Sequence, residues 1–250
     1  MPQPRMRGIG TDRALARLRG CIAEDDVTII GLYGPEGVGK TTRLKKLNND
    51  FVGSGGGDFD SVIYVDVARC SNDARKIQEA IGERLGLRAR DDELEQQIRR
   101  CLNHTSFLLI LDDVREFVDY EELGVPCDGG RCARHRSRPH RRKIVVATPF
   151  DYVCAHMLAE ETIEVEGLGR EEAWKLFAEN VGRDAMGADA EVHALAEAVV
   201  RNCGGVPGKL IEYARALAGK RSVTEWKRVM WEKRMSSSSG DSVDIIDVIY

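Results

Sequence analysis

Residues 27–42, VTIIGLYGPEGVGKTT, restrict what this chain can fold into more than any other stretch. A short apolar run, Val27, Ile29, Ile30 and Leu32, leads into a turn punctuated by glycines and then into a lysine and two threonines. Gly34, Gly39, Lys40 and Thr41 satisfy the spacing of a phosphate-binding loop, and the apolar run is the strand that must precede one. Glycines at 34, 37 and 39 allow a tight turn with no Cβ between backbone N–H groups and an anion. Val38, Lys40 and Thr42 complete the cradle, and the helix that follows adds unpaired N–H donors at its N-terminus. In such a loop Lys40 bridges the β and γ phosphates and the Thr41 hydroxyl ligates Mg2+, a cation that prefers hard oxygen ligands.

A second acidic signal supports this reading. Residues 107–113, FLLILDD, form an apolar run ending in two carboxylates, suited to a strand buried on both faces of a parallel sheet. The carboxyl end of such a strand is where ligands bind in open α/β sheets. There Asp112 can hold the Mg2+ shell and Asp113 can orient or deprotonate an attacking water. The competing reading is that both acids cap a following helix.

Residues 61–67, 143–148 and 162–165 read as further strands, and Thr148 ends the second of them. Helical spacing appears at Leu15 and Leu18, at Leu44, Leu47 and Phe51, and at Ala74, Ile77, Ile81 and Leu85, with Ser71 as the cap of the last. Leu94, Ile98, Cys101 and Leu102 make another stripe. From Leu168 onward the pattern is helical throughout. It places Ala173, Trp174, Phe177 and Val181 on one core stripe, then Val192, Leu195, Ala196 and Val199, then Leu210, Ile211, Ala214 and Leu217, with a last helix near 224–234. A turn, CGGVPG at 203–208, separates two of these helices.

The 250-residue length suits one α/β domain and a smaller helical one. The boundaries read as a nucleotide-binding domain at 1–166, a helical subdomain at 167–235, and a linker with the start of a following element at 236–250. No run is long enough to span a bilayer, and MPQPRMRG has no apolar leader. Seven scattered cysteines favour reduced thiols in the cytoplasm or nucleus. Net charge is −4, yet residues 131–143 carry seven positive charges, so the rest of the chain carries −11. That basic loop offers a nucleic-acid reading, opposed by the lack of any interleaved aromatic on which bases stack. Cys127, Cys132, His135 and His140 invite a zinc reading, but only two residues separate the second cysteine from the first histidine, too few for a finger.

The order of these motifs resembles the NB-ARC module of plant NLR disease-resistance proteins, in the STAND class of P-loop ATPases. GPEGVGKTT is similar to the family's phosphate loop, VIYVDVAR to its next strand motif, FLLILDDV to its Walker B and KIVVAT to its sensor strand. VEGLGREEAWKLF is similar to the motif opening the first helical subdomain, and CGGVPG to the family's G-L-P-L turn. The resemblance implies a parallel sheet of five strands flanked by helices, a small all-helical ARC1 subdomain, and ADP or ATP with Mg2+ held between them. It implies that Pro207 packs on the adenine while Ile9 and Gly10 cover its other side. It also implies a switch between ADP-bound and ATP-bound states, with other receptor domains or a second copy as partners. Three departures stand out: the sensor strand ends in Thr148–Pro149 instead of Thr-Thr-Arg, Arg115 replaces a Trp, and Gly208 replaces a Leu. Together with the intact loop they predict nucleotide binding with slow or no hydrolysis. The rival reading is a nucleotide phosphatase of many turnovers.

Overall fold

The computed structural model describes residues 12–53, 58–87, 93–127, 140–182 and 189–236. The chain divides into two compact units. One comprises Met1–Pro35 and Lys40–Val165, the other Glu36–Gly39 and Glu166–Tyr250, so the tip of the glycine loop groups with the C-terminal part.

The first unit is an α/β layer. Its strands β1 (Ile29–Tyr33), β2 (Ser61–Asp66), β3 (Phe107–Asp112), β4 (Arg142–Thr148) and β5 (Glu161–Glu164) form one sheet in the order β2-β3-β4-β1-β5. Every neighbouring pair is parallel. All six residues of β3 are buried, as an uninterrupted apolar run demands of a central strand covered on both faces. Side chains alternate across a strand. One set, Ile63 and Val65, Leu109 and Leu111, Ile144 and Val146, packs with Ile77 and Ile81 of α3 (Ala74–Arg84) and Ile98 and Leu102 of α4 (Leu94–Asn103). The alternate set, including Ile30, Leu32, Leu108 and Ile110, is equally buried on the opposite face. Helices α1 (Arg13–Ala23) and α2 (Lys40–Gly53) pack on the sheet there through Leu15, Leu18, Leu44 and Leu47.

Parallel register brings the strand ends together. Tyr33 of β1 sits opposite Thr148 of β4, and Asp66 of β2 opposite Asp112 of β3. Since β1 lies between β4 and β5 while the chain next builds β2 at the far edge, the sheet reverses its winding beside β1, the place where ligands bind in this architecture.

The second unit is helical: α6 (Arg170–Val181), α7 (Ala190–Asn202), α8 (Pro207–Leu217) and α9 (Val223–Ser236) surround one apolar core; α5 (Asp151–His156) belongs to the first unit. Phe177 and Trp226 meet edge to face at 6.4 Å in that core, and both are fully buried. Ser222 and Glu225 form a capping box at the start of α9. The Ser222 hydroxyl accepts from the Glu225 N–H at 3.3 Å, and the Glu225 carboxylate accepts from the Ser222 N–H at 3.2 Å.

Several expectations need correction. Ser71 does not cap α3. Ser71 and Asn72 both adopt positive φ after the 3-10 turn at Ala68–Cys70, and Asp73 is the cap, accepting from Arg75 and Lys76 N–H. Trp174 lies at the edge of the helical core, half-buried and 5.1 Å from the His193 ring. Cys101 is likewise only half-buried.

The basic stretch also changes meaning. Most of it, with Cys132 and His135, lies outside the described residues. Its last three charges turn inward. Arg141 binds Asp58 at 2.7 Å and the Ile22 and Ala23 carbonyls, Arg142 binds the Asn103 carbonyl, and Lys143, 1% exposed, donates to the Glu24 and Val27 carbonyls. Burial and the neighbouring Arg141 lower the Lys143 pKa. These three cations hold strand and helix ends together and are not a face offered to nucleic acid.

Candidate functional site

The glycine loop leaves β1 at Tyr33 and enters α2 at Lys40. Gly37 and Gly39 have φ of 78° and 102°, values that an L side chain resists, so the chain can turn back on itself only with glycine there. Lys40 is 8% exposed, and its ammonium donates to the Gly34 carbonyl and, at 3.1 Å, to the Pro35 carbonyl. It is thereby held inside the loop that precedes it. Thr41 and Thr42 are exposed in the first turn of α2, while Val38 is buried and anchors the loop.

Within the second unit the loop tip meets the 203–208 turn. The Gly208 N–H donates to the Gly37 carbonyl at 2.9 Å. A Cβ on Gly208 would stand 2.9 Å from the Gly37 Cα, so this approach depends on glycine at 208. Pro207, buried at the first position of α8, therefore lies one residue from that contact. Proline suits the position because the helix's first N–H has no partner to lose.

At the carboxyl end of β3 the two aspartates separate. Asp112 is the last strand residue and 2% exposed. Its Oδ2 accepts from the Tyr64 hydroxyl at 2.6 Å, and its Oδ1 is buried with no hydrogen-bond partner. Asp113 lies just past the strand with φ of 58°, which turns its side chain away from the strand's alternation. Its carboxylate accepts from the half-exposed Arg115 guanidinium at 3.3 Å. Thr148 is fully buried at the end of β4, and its hydroxyl oxygen accepts the Phe150 N–H at 3.1 Å.

These residues fit a hard divalent cation. A buried carboxylate oxygen without a partner costs free energy unless a proton donor or a cation satisfies it. Asp112 Oδ1 is such an atom, and the Thr41 hydroxyl on the same unit supplies a second oxygen of the type Mg2+ prefers. Ile9 and Gly10 lie outside the described residues.

Two participants escaped the sequence reading. Tyr64 pairs with Ile110 across the β2–β3 register, so Asp112 is its diagonal neighbour, within reach of an aromatic side chain. A tyrosine two residues before the end of the strand beside an acidic strand end was the available signal. Burial, then its bond to Asp112, raises the phenol pKa, so the hydroxyl stays a donor. The other is Asp12, which caps α1 through the Leu15 N–H and binds Arg43 of α2 at 2.8 Å, tying the loop's helix to the preceding one.

Comparison with known proteins agrees with this arrangement. The NB-ARC domain model matches residues 11–187. The Arabidopsis thaliana probable disease resistance protein At1g52660 is 35% identical over 229 residues, covering 89% of this chain and 59% of that protein. The Arabidopsis thaliana disease resistance protein RPS5 is 36% identical over 224 residues, covering 87% of this chain and 24% of that protein. The chain thus spans only part of the length of these relatives.

Among solved structures, Drosophila ORC bound to DNA is similar with a TM-score of 0.56 and 11% identity, over 89% of this chain and 59% of that one. The Aeropyrum pernix ORC1 protein in complex with DNA gives 0.52 and 16%, over 88% and 64%. At such identities the likeness concerns the fold alone, that of a P-loop NTPase. No helix among the described residues is long and apolar enough to cross a membrane. With its glycine loop, paired aspartates and helical C-terminal unit, the chain belongs to the NB-ARC domain family.

Proposed function

We propose that this chain is the nucleotide-binding module of an immune-receptor-type switch protein, taking ADP or ATP together with Mg2+ and hydrolysing ATP slowly. The observation that carries the reading is the glycine loop on the same sheet as a buried, half-satisfied Asp112 at the carboxyl end of β3, one strand removed from β1. In this reading the backbone N–H groups of Gly37, Val38, Gly39 and Lys40 hold phosphate oxygens, with Thr41 and Thr42 extending the cradle into α2. The Lys40 ammonium exchanges its neutral carbonyl acceptors for β and γ phosphate oxygens, a stronger charge-assisted pairing. Mg2+, when bound through Thr41 and Asp112, would offset phosphate charge. Pro207 is the candidate for the adenine side, and Thr148 retains a hydroxyl proton to donate toward the terminal phosphate.

Slow hydrolysis follows from two features. The sensor strand ends in Thr148–Pro149, without a guanidinium to stabilise charge developing on the γ phosphate. The Arg115 guanidinium holds the Asp113 carboxylate, the group that would orient or deprotonate water, so one of its oxygens is already engaged before water arrives. Binding without fast turnover suits a module whose nucleotide shifts a population between two arrangements. The described cysteines, 21, 70, 101, 127, 154 and 203, form no disulfide with one another, which accords with a reducing, cytoplasmic setting. Partners in this reading are the other domains of the receptor or a second copy of the chain.

The test is to denature the purified protein and identify the released nucleotide by chromatography. Near-stoichiometric ADP supports the reading. A protein that releases none and takes up no added Mg2+·ADP overturns it.

A further inference from the structure

We infer that Tyr64 is a positioning residue for Asp112, holding one carboxylate oxygen so that the other is presented, fixed and unpartnered, toward a divalent cation carried by the nucleotide. The inference rests on the nucleotide-binding reading above and extends it to a residue outside the loop and the acidic pair.

Three observations carry it. First, the two oxygens of Asp112 are unequal: Oδ2 accepts from the Tyr64 hydroxyl at 2.6 Å, and Oδ1 is buried with no hydrogen-bond partner. A short bond of this kind favours one orientation of the carboxylate. Second, the other acid at the same sheet end is engaged elsewhere. Asp66, directly opposite Asp112 in the register, binds the Arg69 guanidinium at 3.0 Å and the Arg69 N–H at 3.3 Å. Asp66 therefore adds one strand-end charge already balanced by its own neighbour, and Asp112 is left as the carboxylate with an open oxygen. Third, the backbone around Asp112 is locked. Its carbonyl accepts from the Val67 N–H at 2.9 Å, and two residues on the Val114 N–H donates to the Ala147 carbonyl at 2.9 Å across to β4. With the main chain pinned on both sides, the side-chain torsion is the remaining freedom, and the Tyr64 hydroxyl removes it.

The geometry is one that only a long side chain with a terminal donor satisfies. Tyr64 stands opposite Ile110, and the hydroxyl must cross diagonally to the strand end to meet Asp112. Phenylalanine keeps the ring and its packing but lacks the donor. Loss of a residue that orients a metal ligand lowers metal affinity by about 10- to 100-fold.

The experiment measures, by isothermal titration of the full chain, how much Mg2+ strengthens ADP binding relative to ADP in EDTA. It compares the original protein, Tyr64→Phe, Asp112→Asn and the double variant, with thermal melting as a check on folding. The expected result is a Mg2+ gain reduced by about 10-fold in Tyr64→Phe, with affinity in EDTA unchanged. Adding Tyr64→Phe to Asp112→Asn should bring no further loss, because both act through one carboxylate. An unchanged Mg2+ gain in Tyr64→Phe overturns the inference and leaves the nucleotide reading standing. A further loss on adding Tyr64→Phe to Asp112→Asn, as large as Tyr64→Phe causes in the original protein, also overturns it, since Tyr64 would then act without Asp112. Absence of ADP binding by the original protein in either buffer overturns both.

Discussion

The turn that carries Pro207 allows a controlled comparison between adjacent glycines. Gly204 and Gly205 both have positive φ, 55° and 72°, a region that costs an alanine about 1–2 kcal/mol. Their surroundings differ. A Cβ on Gly204 meets nothing within 4 Å, whereas one on Gly205 would stand 2.3 Å from the Leu168 carbonyl oxygen and 2.9 Å from its nitrogen. Those are backbone atoms and cannot swing aside. Relieving the overlap requires breaking the Leu168 N–H bond to the Gly205 carbonyl, 2.8 Å long, for about another 1 kcal/mol. Gly204→Ala should therefore cost about 1 kcal/mol, and Gly205→Ala about 3 kcal/mol or more once the strained contact is included.

All three tryptophans, Trp174, Trp226 and Trp231, belong to the second unit, so tryptophan fluorescence during urea unfolding reports on that unit alone. At a slope of about 2 kcal/mol per M, the Gly205→Ala midpoint should lie about 1 M below that of Gly204→Ala. Equal midpoints would refute the reasoning, because they would mean that the turn yields without losing the Leu168 contact.

Ile110→Ala, which empties part of the fully buried central strand β3, should cost about 2–5 kcal/mol. It should appear in calorimetry or circular dichroism, with little change in the tryptophan transition. Acid sensitivity should map to the α9 cap: hydrogen bonds from the Ser222 hydroxyl, then from the Ser222 and Arg221 amides, hold the Glu225 pKa below its ordinary 4.5. A depressed carboxylate contributes stability above pH 4.5 and loses it as pH falls through the lowered value, so Glu225→Gln should flatten the fall in stability below pH 4.5. An unaltered pH profile would mean the cap contributes nothing. Asp113→Ala should leave Mg2+·ATP affinity within about threefold while lowering phosphate release, because its role lies with attacking water rather than with binding. Equal turnover in a phosphate-release assay would remove Asp113 from catalysis.

The sequence made the central strands legible because burial on both faces leaves a plain mark: FLLILD and KIVVAT each hold an unbroken apolar run, and both became interior strands. The loop was legible because glycine, lysine and threonine occupy positions where backbone shape and phosphate chemistry permit little else. Side-chain partnerships across strands were not. Tyr64 looked like one more aromatic in a buried strand, since only the β2–β3 register brings its hydroxyl to Asp112. Arg141 to Lys143 read as part of a basic loop because charge gives no hint of direction, whereas the partners of their charges come from residues 22–27, 58 and 103. Ser71 and Asp73 are both good helix caps by type, and the positive φ of Ser71 and Asn72 decided between them. Trp226, in the middle of the helical core, carried no mark beyond lying on a helical segment.

The account turns on the glycine loop binding nucleotide through Lys40. Titrating Mg2+·ADP into the original protein and into Lys40→Ala tests it directly, with circular dichroism to show that both are folded. Losing charge-assisted bonds to two phosphates, each worth about 1.5–3 kcal/mol, predicts a loss of affinity of at least about 100-fold. Equal affinity in a folded Lys40→Ala variant would contradict the account, because nucleotide would then be held by some other part of the chain.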